Sequence, residues 1–386
     1  MFKNICMKKY TSFLIVLFLS TSNLPLFAQS DVKQVKVYYE KDKFGGWPAN
    51  FGIWNWGNEI LVGFAKGTYK NLGPKAHNID REKEEFHLLA RSMDGGESWN
   101  IEDPGKNGKG DLFVPSHGNY HGIMRKDVPL QEPIAPKAIN FKNPNFAFTL
   151  RMTNNNGGES LYWTSTDKGH SWDGPIKLPE MGTKGIAART DYIIDGKNEC
   201  LLFLTAAKSN GKEGRPMMAK TIDGGITWSF VSWISPELEG SNYAIMPASV
   251  RISPYELLVS IRRNKSIEAY YSADNGLSWQ KQIDPAENTG EGNPPAMIKM
   301  KDGRICIIWG SRKEPFSMLA KISNDKGKSW SEPHVLRGDG NSRDMGYPRA
   351  VQRPDGKIVA VYYFADEATG HERYIGATIW TPPAAK

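Results

Sequence analysis

Cysteine is scarce in this chain, with three among 386 residues. Cys6 precedes the apolar run Phe13 to Leu19 rather than following it, which excludes it as a lipid-attachment cysteine. Cys200 and Cys306 lie inside apolar strand patterns of separate repeats, so no disulfide framework is expected and both read as buried free thiols. A chain of this length buries enough apolar surface to be stable without such staples. Membrane-spanning runs are lacking too. Phe13 to Leu19 falls far short of the roughly 20 apolar residues that cross a bilayer, and no later stretch qualifies. With Lys3, Lys8 and Lys9 before it and Leu26-Phe27-Ala28 ahead of Gln29 after it, the run reads as a secretory leader over 1–28, cleaved near Ala28. Residues 29–386 are then expected as a single exported domain, secreted or periplasmic. A dominant charge is missing as well: the net charge is +7, and the leader takes away three lysines and no acid, leaving +4. No basic block or aromatic-basic interleaving points to nucleic acid, while a mildly positive balance suits an acidic glycan. A monomer is expected, and no cofactor or metal motif is read.

What the chain has is repetition. The pattern S/T-x-D-x-G-x-x-W occurs five times, at Ser92 to Trp99, Ser165 to Trp172, Thr221 to Trp228, Ser272 to Trp279 and Ser323 to Trp330. The Asp carboxylate is suited to accept backbone N–H groups in a tight turn, the Gly to take a positive φ, and the Trp to cover the hairpin. Its aspartates, at 94, 167, 223, 274 and 325, are 73, 56, 51 and 51 residues apart. Apolar strands follow turns in step with them, at Glu59 to Phe64, Phe146 to Leu150, Cys200 to Leu204, Glu256 to Ile261, Arg304 to Trp309 and Ile358 to Tyr363. Units of about 50 residues predict an all-β propeller of six four-stranded blades. The last unit lacks the pattern, and Val35 to Tyr39 is expected to supply its fourth strand and close the ring. The long first interval carries insertions at Gly67 to Glu84 and Asp103 to Leu130; a seventh, compact blade inside the second is the alternative count.

By strand alternation both insertions belong to the face opposite the repeated hairpins, and the second is expected to lead into a first strand. The starts of the innermost strands are polar: Arg189 with Asp191 and Tyr192, Tyr243 with Arg251, Glu291 with Asn293, and Asp344 with Tyr347 and Arg349. Such residues are poor core material, and at a channel mouth they form a polar pocket. The competing reading is that they satisfy one another and cap the strands. His117 and His121, with Tyr120 and Arg125, make the densest group of proton-transfer side chains. Gly118 and Gly122 argue for a loop there rather than a two-histidine metal helix. His77, Lys75 and Arg81 occupy the other insertion. His87, His170, His334 and His371 read as structural or solvated, and the five repeat tryptophans as core. Trp47, Trp54 and Trp56 stand apart, because aromatics at a rim stack on sugar rings.

The repeated pattern is the Asp box, and the chain after its leader resembles the sialidase-like, BNR-repeat superfamily of carbohydrate-active β-propellers. Tyr347 lies where the resemblance implies a nucleophilic tyrosine, with Asp344 or Glu291 as the group that takes its proton. The departure is in blade one. Where sialidases carry the first of three carboxylate-binding arginines, this chain reads Trp47-Pro48-Ala49-Asn50-Phe51-Gly52-Ile53-Trp54, which leaves Arg189, Arg251 and Arg349 to hold an anion. That stretch is similar to a branch that includes propeller α-L-rhamnosidases, whose motif W-P-A-N-H-G places a histidine where Phe51 stands here. The expectation is an exo-acting glycoside hydrolase on terminal sugars of acidic or uronate-containing glycans. The alternatives are a lyase using His117 and His121 on uronate linkages, and a propeller that binds glycan without turnover.

Overall fold

The computed structural model describes Met1 and residues 32–74, 76–106, 110–112 and 122–385. Residues 2–31, Lys75, His117 and His121 lie outside the described residues. The second strand of a blade is an unbroken apolar run, as a strand covered on both faces requires. Cys200–Ala207, Ile305–Ser311 and Ile358–Phe364 are buried at every position. Six sheets result, antiparallel except where Ile123–Met124 pairs parallel with Glu84–Ser92 of blade 1, and one principal apolar cluster fills each of the six seams between neighbouring sheets. Both described cysteines are free and buried.

The blades follow the expected order. Blade 3 runs Tyr192–Ile194, Cys200–Ala207, Glu213–Thr221, Ser229–Trp233 from the axis outward, and blades 4 and 5 repeat it. In blade 6, Gly346–Gln352, Ile358–Phe364 and Tyr374–Trp380 are completed by Val32–Tyr38. That strand pairs antiparallel from Val32↔Trp380 through Lys36↔Gly376. Gln34 pins it, with Oε1 accepting from Tyr362 (3.1 Å) and Thr378 (2.8 Å). The ring therefore closes as the sequence predicts, with its strand starting three residues earlier.

Blade 2 departs from the pattern. It has three strands among the described residues, Ala147–Met152, Ser160–Ser165 and Asp173–Leu178. No first strand follows the second insertion. Residues 132–138 are exposed throughout and run down the outside: Ile134 N–H donates to Pro175 O of the outer strand (2.8 Å) and Ile139 N–H to Gly224 O of the third box (2.9 Å). Pro133 and Pro136 remove two ladder donors from this segment, which suits an edge and not an inner strand. Ala147–Met152 lies next to the axis instead, its Thr149 hydroxyl donating to Phe51 O (2.9 Å).

Each box is one hydrogen-bonded knot. In the third, Asp223 accepts from the Thr221 hydroxyl (2.8 Å), the Thr227 backbone N–H (3.0 Å) and the Thr227 hydroxyl (2.6 Å), while Gly225 turns at φ 84°. Hydrogen bonds from Thr227, and then from Thr221, hold the Asp223 carboxyl down at about 2, below the usual 3.8. A depressed carboxyl stabilises the fold above its unfolded value and loses that contribution as pH falls through its folded value. Asp223→Asn is therefore expected to lower the melting temperature at neutral pH, with the gap from wild type closing between about pH 4 and pH 2 in thermal scans. Deleting Val32–Tyr38 uncovers the fully buried edge Tyr374–Trp380; the expected outcome is loss of cooperative unfolding and self-association, seen by calorimetry and light scattering.

Candidate functional site

In three blades a left-handed residue followed by proline stands before or near the start of the inner strand: Trp47 (φ 57°) precedes Pro48 and the turn Pro48–Asn50 ahead of Ile53–Trp56, while Met246 (φ 54°) and Tyr347 (φ 49°) precede Pro247 and Pro348 within Ala244–Arg251 and Gly346–Gln352. Such a conformation costs on the order of 1–3 kcal/mol per residue and persists only where neighbours enforce it. Strand pairing breaks at two of these points, between Ile245 and Ala248 and between Gly346 and Arg349. Asn293 enforces the kink at Tyr347. Its Oδ1 accepts the Tyr347 N–H (3.2 Å) while its Nδ2 donates to Met345 O (2.7 Å). Freed from the strand alternation, the Tyr347 side chain faces the mouth of the channel.

Two adjoining cavities of about 650 and 380 Å³ occupy that mouth and share His77, Tyr243 and Arg262. Tyr347 and Arg189 line the larger; Glu291, Arg312 and Asp344 line the smaller. The Tyr347 hydroxyl accepts from Arg262 Nη1 at 2.7 Å. The Arg262 and Arg312 guanidiniums lie 5.5 and 5.7 Å from its ring. Burial pushes the phenol up, but Arg262, Arg312 and Arg189 together outweigh it and leave Tyr347 below its ordinary value of 10.0. A phenol so placed ionises more readily than a free tyrosine, which is what a tyrosine nucleophile needs.

Beside it stands a histidine–aspartate pair. The first insertion folds back through a bridge between Tyr69 and Ile79, which sets His77 edge-on to Trp47 at 5.4 Å. His77 Nδ1 lies 2.6 Å from Asp344 Oδ1. The same oxygen accepts from the Tyr363 hydroxyl (2.5 Å), and Arg373 Nε is 3.3 Å from Oδ2. Burial alone favours a neutral Asp344; His77, Arg373 and Arg312 overcome it and hold the carboxyl well below the usual range. Asp344 is therefore ionised and fixes His77 with Nδ1–H as donor. Tyr363 also accepts from Arg312 Nη2 (3.0 Å), so hydrogen bonds run unbroken from His77 through Asp344 and Tyr363 to a guanidinium beside Tyr347.

Of the residues singled out in the sequence, Tyr347, Asp344, Glu291, Arg189, Tyr243, His77 and Arg81 line these cavities. The Tyr347 hydroxyl is held by Arg262 and not by either expected carboxylate: Asp344 is engaged by His77 and Tyr363, and Glu291 pairs with Arg343 at the rim. Arginines take the part expected of a carboxylate, lowering the phenol rather than removing its proton. Asn293 is fully buried and clamps the backbone instead of facing a ligand. Trp47 is 1% exposed, packed on Phe44 at 4.6 Å beneath His77, so it supports the mouth and offers no face to a sugar. Arg251 lies at the box face, bound to Asp195 (2.6 Å) and to Asn275 of the fourth box (2.9 Å), because its strand carries it the length of the sheet away. Arg349, Asp191 and Tyr192 line a separate cavity. Phe51 is buried in blade one, with the Arg151 guanidinium 3.7 Å above its ring and His87 edge-on at 5.0 Å.

Sequence reasoning missed Arg262 and Arg312. A signal was present: both close second strands, in Leu257–Arg263 and just after Ile305–Ser311, 50 residues apart and in step with the boxes that follow. Attention to strand starts alone passed over them. Among the described residues, no group of three or more His, Cys, Asp or Glu is placed to hold a metal ion.

Comparison with known proteins agrees with this architecture. A protein of unknown function from Dyadobacter fermentans matches at TM-score 0.67 and 18% identity, over 91% of this chain and 99% of that one. The NanB sialidase from Streptococcus pneumoniae matches at 0.58 and 12%, over 95% and 72%. Penicillium chrysogenum α-L-arabinanase matches at 0.54 and 15%, over 91% and 98%. At these identities the likeness is one of fold. No curated protein sequence matches. The model of the BNR repeat-like domain matches residues 146–360, more than half of the chain, and with the boxes and the blade order it establishes that this protein belongs to the BNR repeat-like domain family.

Proposed function

We propose that the mouth is the active site of a retaining, exo-acting glycoside hydrolase that removes a terminal anionic sugar from an acidic or uronate-containing glycan. The observation that carries this is Tyr347, lowered by three guanidiniums and lining one cavity with His77, whose partner Asp344 lines the adjoining one. The Tyr347 oxygen, as phenolate, attacks the anomeric carbon. The glycosidic bond breaks, and the leaving oxygen takes a proton from His77 Nε2. In the second half-reaction water gives its proton to His77 while its oxygen attacks the same carbon and releases Tyr347. Asp344 stays ionised throughout and stabilises the imidazolium. Arg262, which lines both cavities, is the guanidinium placed to meet a substrate carboxylate.

Exo action is supported by the floor of the site. Arg349 Nη2 donates to Ala49 O of blade 1 (2.5 Å) and to Thr190 O of blade 3, crossing the channel so that a glycan chain cannot thread it. The sialidase and arabinanase neighbours show that this fold hosts glycosidases, and the site, not the fold, carries the chemistry. The apolar leader supports export to the periplasm or medium, where such glycans are met, and the fold needs no second copy to close its ring.

The test is release of sugar from sialylated and uronate-containing glycans. Tyr347→Phe is expected to lower kcat by at least roughly 10³-fold with unchanged melting temperature; wild-type turnover in that variant overturns the proposal. His77→Ala is expected to cost about 10²–10⁴-fold on a natural glycan and far less on a nitrophenyl glycoside, whose leaving group needs no proton. Arg262→Ala removes a cation that lowers the phenol. Because the phenolate is the active form, the rising limb of kcat/KM against pH is expected to move to higher pH, with the tyrosinate step in ultraviolet difference titration moving the same way.

A further inference from the structure

We infer that the box-face end of the channel is a second binding site, for a neutral pyranose unit of a glycan, separate from the site at Tyr347. A cavity of about 410 Å³ opens there. Trp56 at its edge is paired with Glu59 across the Gly57-Asn58 turn, and Asn58 O accepts from Gly95 of the first box (2.8 Å), which fixes the cavity on the box face. The Arg349 bridge to Ala49 O and Thr190 O lies between this cavity and the mouth.

The lining has the chemistry of sugar recognition. Trp54 and Trp56 enter from blade 1 and Tyr192 from blade 3. Trp54 is held rigid, with Nε1 donating to the Tyr192 hydroxyl (3.2 Å) and its ring 5.5 Å from Trp172, so its indole meets a ligand without further loss of entropy. The polar part is an ion pair left open: Arg349 Nη1 and Asp191 Oδ1 stand 3.9 Å apart, beyond hydrogen-bond range. Arg349 Nε is buried and makes no hydrogen bond. An acceptor and a donor separated in this way match a hydroxyl, the group that accepts from a guanidinium and donates to a carboxylate at once. An anion gains less, because Asp191 faces it. Burial, opposed in part by Arg349 and Ser249, pushes the Asp191 carboxyl up to about 7, consistent with a group lacking its full complement of partners. Apolar faces beside paired hydroxyl-binding groups are what one pyranose ring presents in reverse.

The inference does not depend on turnover at the mouth. Its test is saturation-transfer NMR and calorimetry of the full chain with methyl glucopyranoside, methyl galactopyranoside and methyl rhamnopyranoside. At least one is expected to bind with Kd on the order of millimolar, as suits a small rigid ligand. Trp56→Ala, which alters only the half-buried rim, and Asp191→Asn are each expected to weaken it at least tenfold. Trp56→Ala should leave binding and release of anionic sugars at the mouth unchanged. Failure of all three glycosides to bind overturns the inference. So does binding that survives both substitutions, or binding abolished by Arg262→Ala, which places the neutral sugar at the mouth.

Discussion

Every blade of this protein has two apolar faces, and the only way to cover both is to place another blade on each side. That constraint makes the ring. The second strands, buried over most or all of their length, leave no face free for solvent, so blade 6 has to meet blade 1, and Val32–Tyr38 provides the join by completing the sheet that ends in Tyr374–Trp380. The box hairpins serve the same end from outside. Each ties its turn with an aspartate that accepts from backbone and hydroxyl donors, and in the second the Trp172 indole packs into the seam between blades 1 and 2.

Closing the ring creates a problem at its axis. Six inner strands converge where no further layer is available to bury them, and the chain answers with charge and backbone rather than with apolar side chains. Arg349 reaches across to carbonyls of blades 1 and 3. Arg312 spends its donors on Met345 O, Gly292 O and the Tyr363 hydroxyl. Lys208 places its ammonium among the carbonyls of Leu238, Gly240 and Asn242. Buried cations are costly unless satisfied in this manner. Once paid for by the fold, their field falls on whatever faces them, and at the mouth that is Tyr347. Above Arg349 the channel is cationic and meets the histidine loop; below it the channel is aromatic, with one open ion pair. One side chain thus divides the axis into two environments of different chemistry.

Much of this was legible in the residues. The boxes and the turn-strand rhythm fixed six blades, the polarity of strand starts located the mouth, and the missing fourth strand of the last unit pointed to the N-terminus. The failures have physical causes. The inner strand of blade 2 was expected from spacing alone, whereas Pro133 and Pro136 already argued for an edge. Tyr347, Arg349 and Arg251 stand at successive depths of inner strands, second and fourth in Gly346–Gln352 and last in Ala244–Arg251, and because a strand spans the whole depth of a blade, a few residues along it separate mouth, plug and box face. Arg262 and Arg312 close strands that read as pure core, and their role appears only when two neighbouring blades are placed side by side. Trp47 and Trp54 belong to one short stretch, and the left-handed turn at Trp47 sends the first under the mouth and the second to the opposite cavity.

The central claim is that guanidiniums make Tyr347 a nucleophile that bonds to sugar. The most direct measurement is to incubate the full chain with a fluorinated anionic glycosyl donor whose second step is slow, and to map the adduct by mass spectrometry. The expected result is one added sugar per chain, on the peptide that contains Tyr347, with substrate turned over under retention of anomeric configuration by NMR. Turnover with inversion, or an adduct on any other residue, would contradict it.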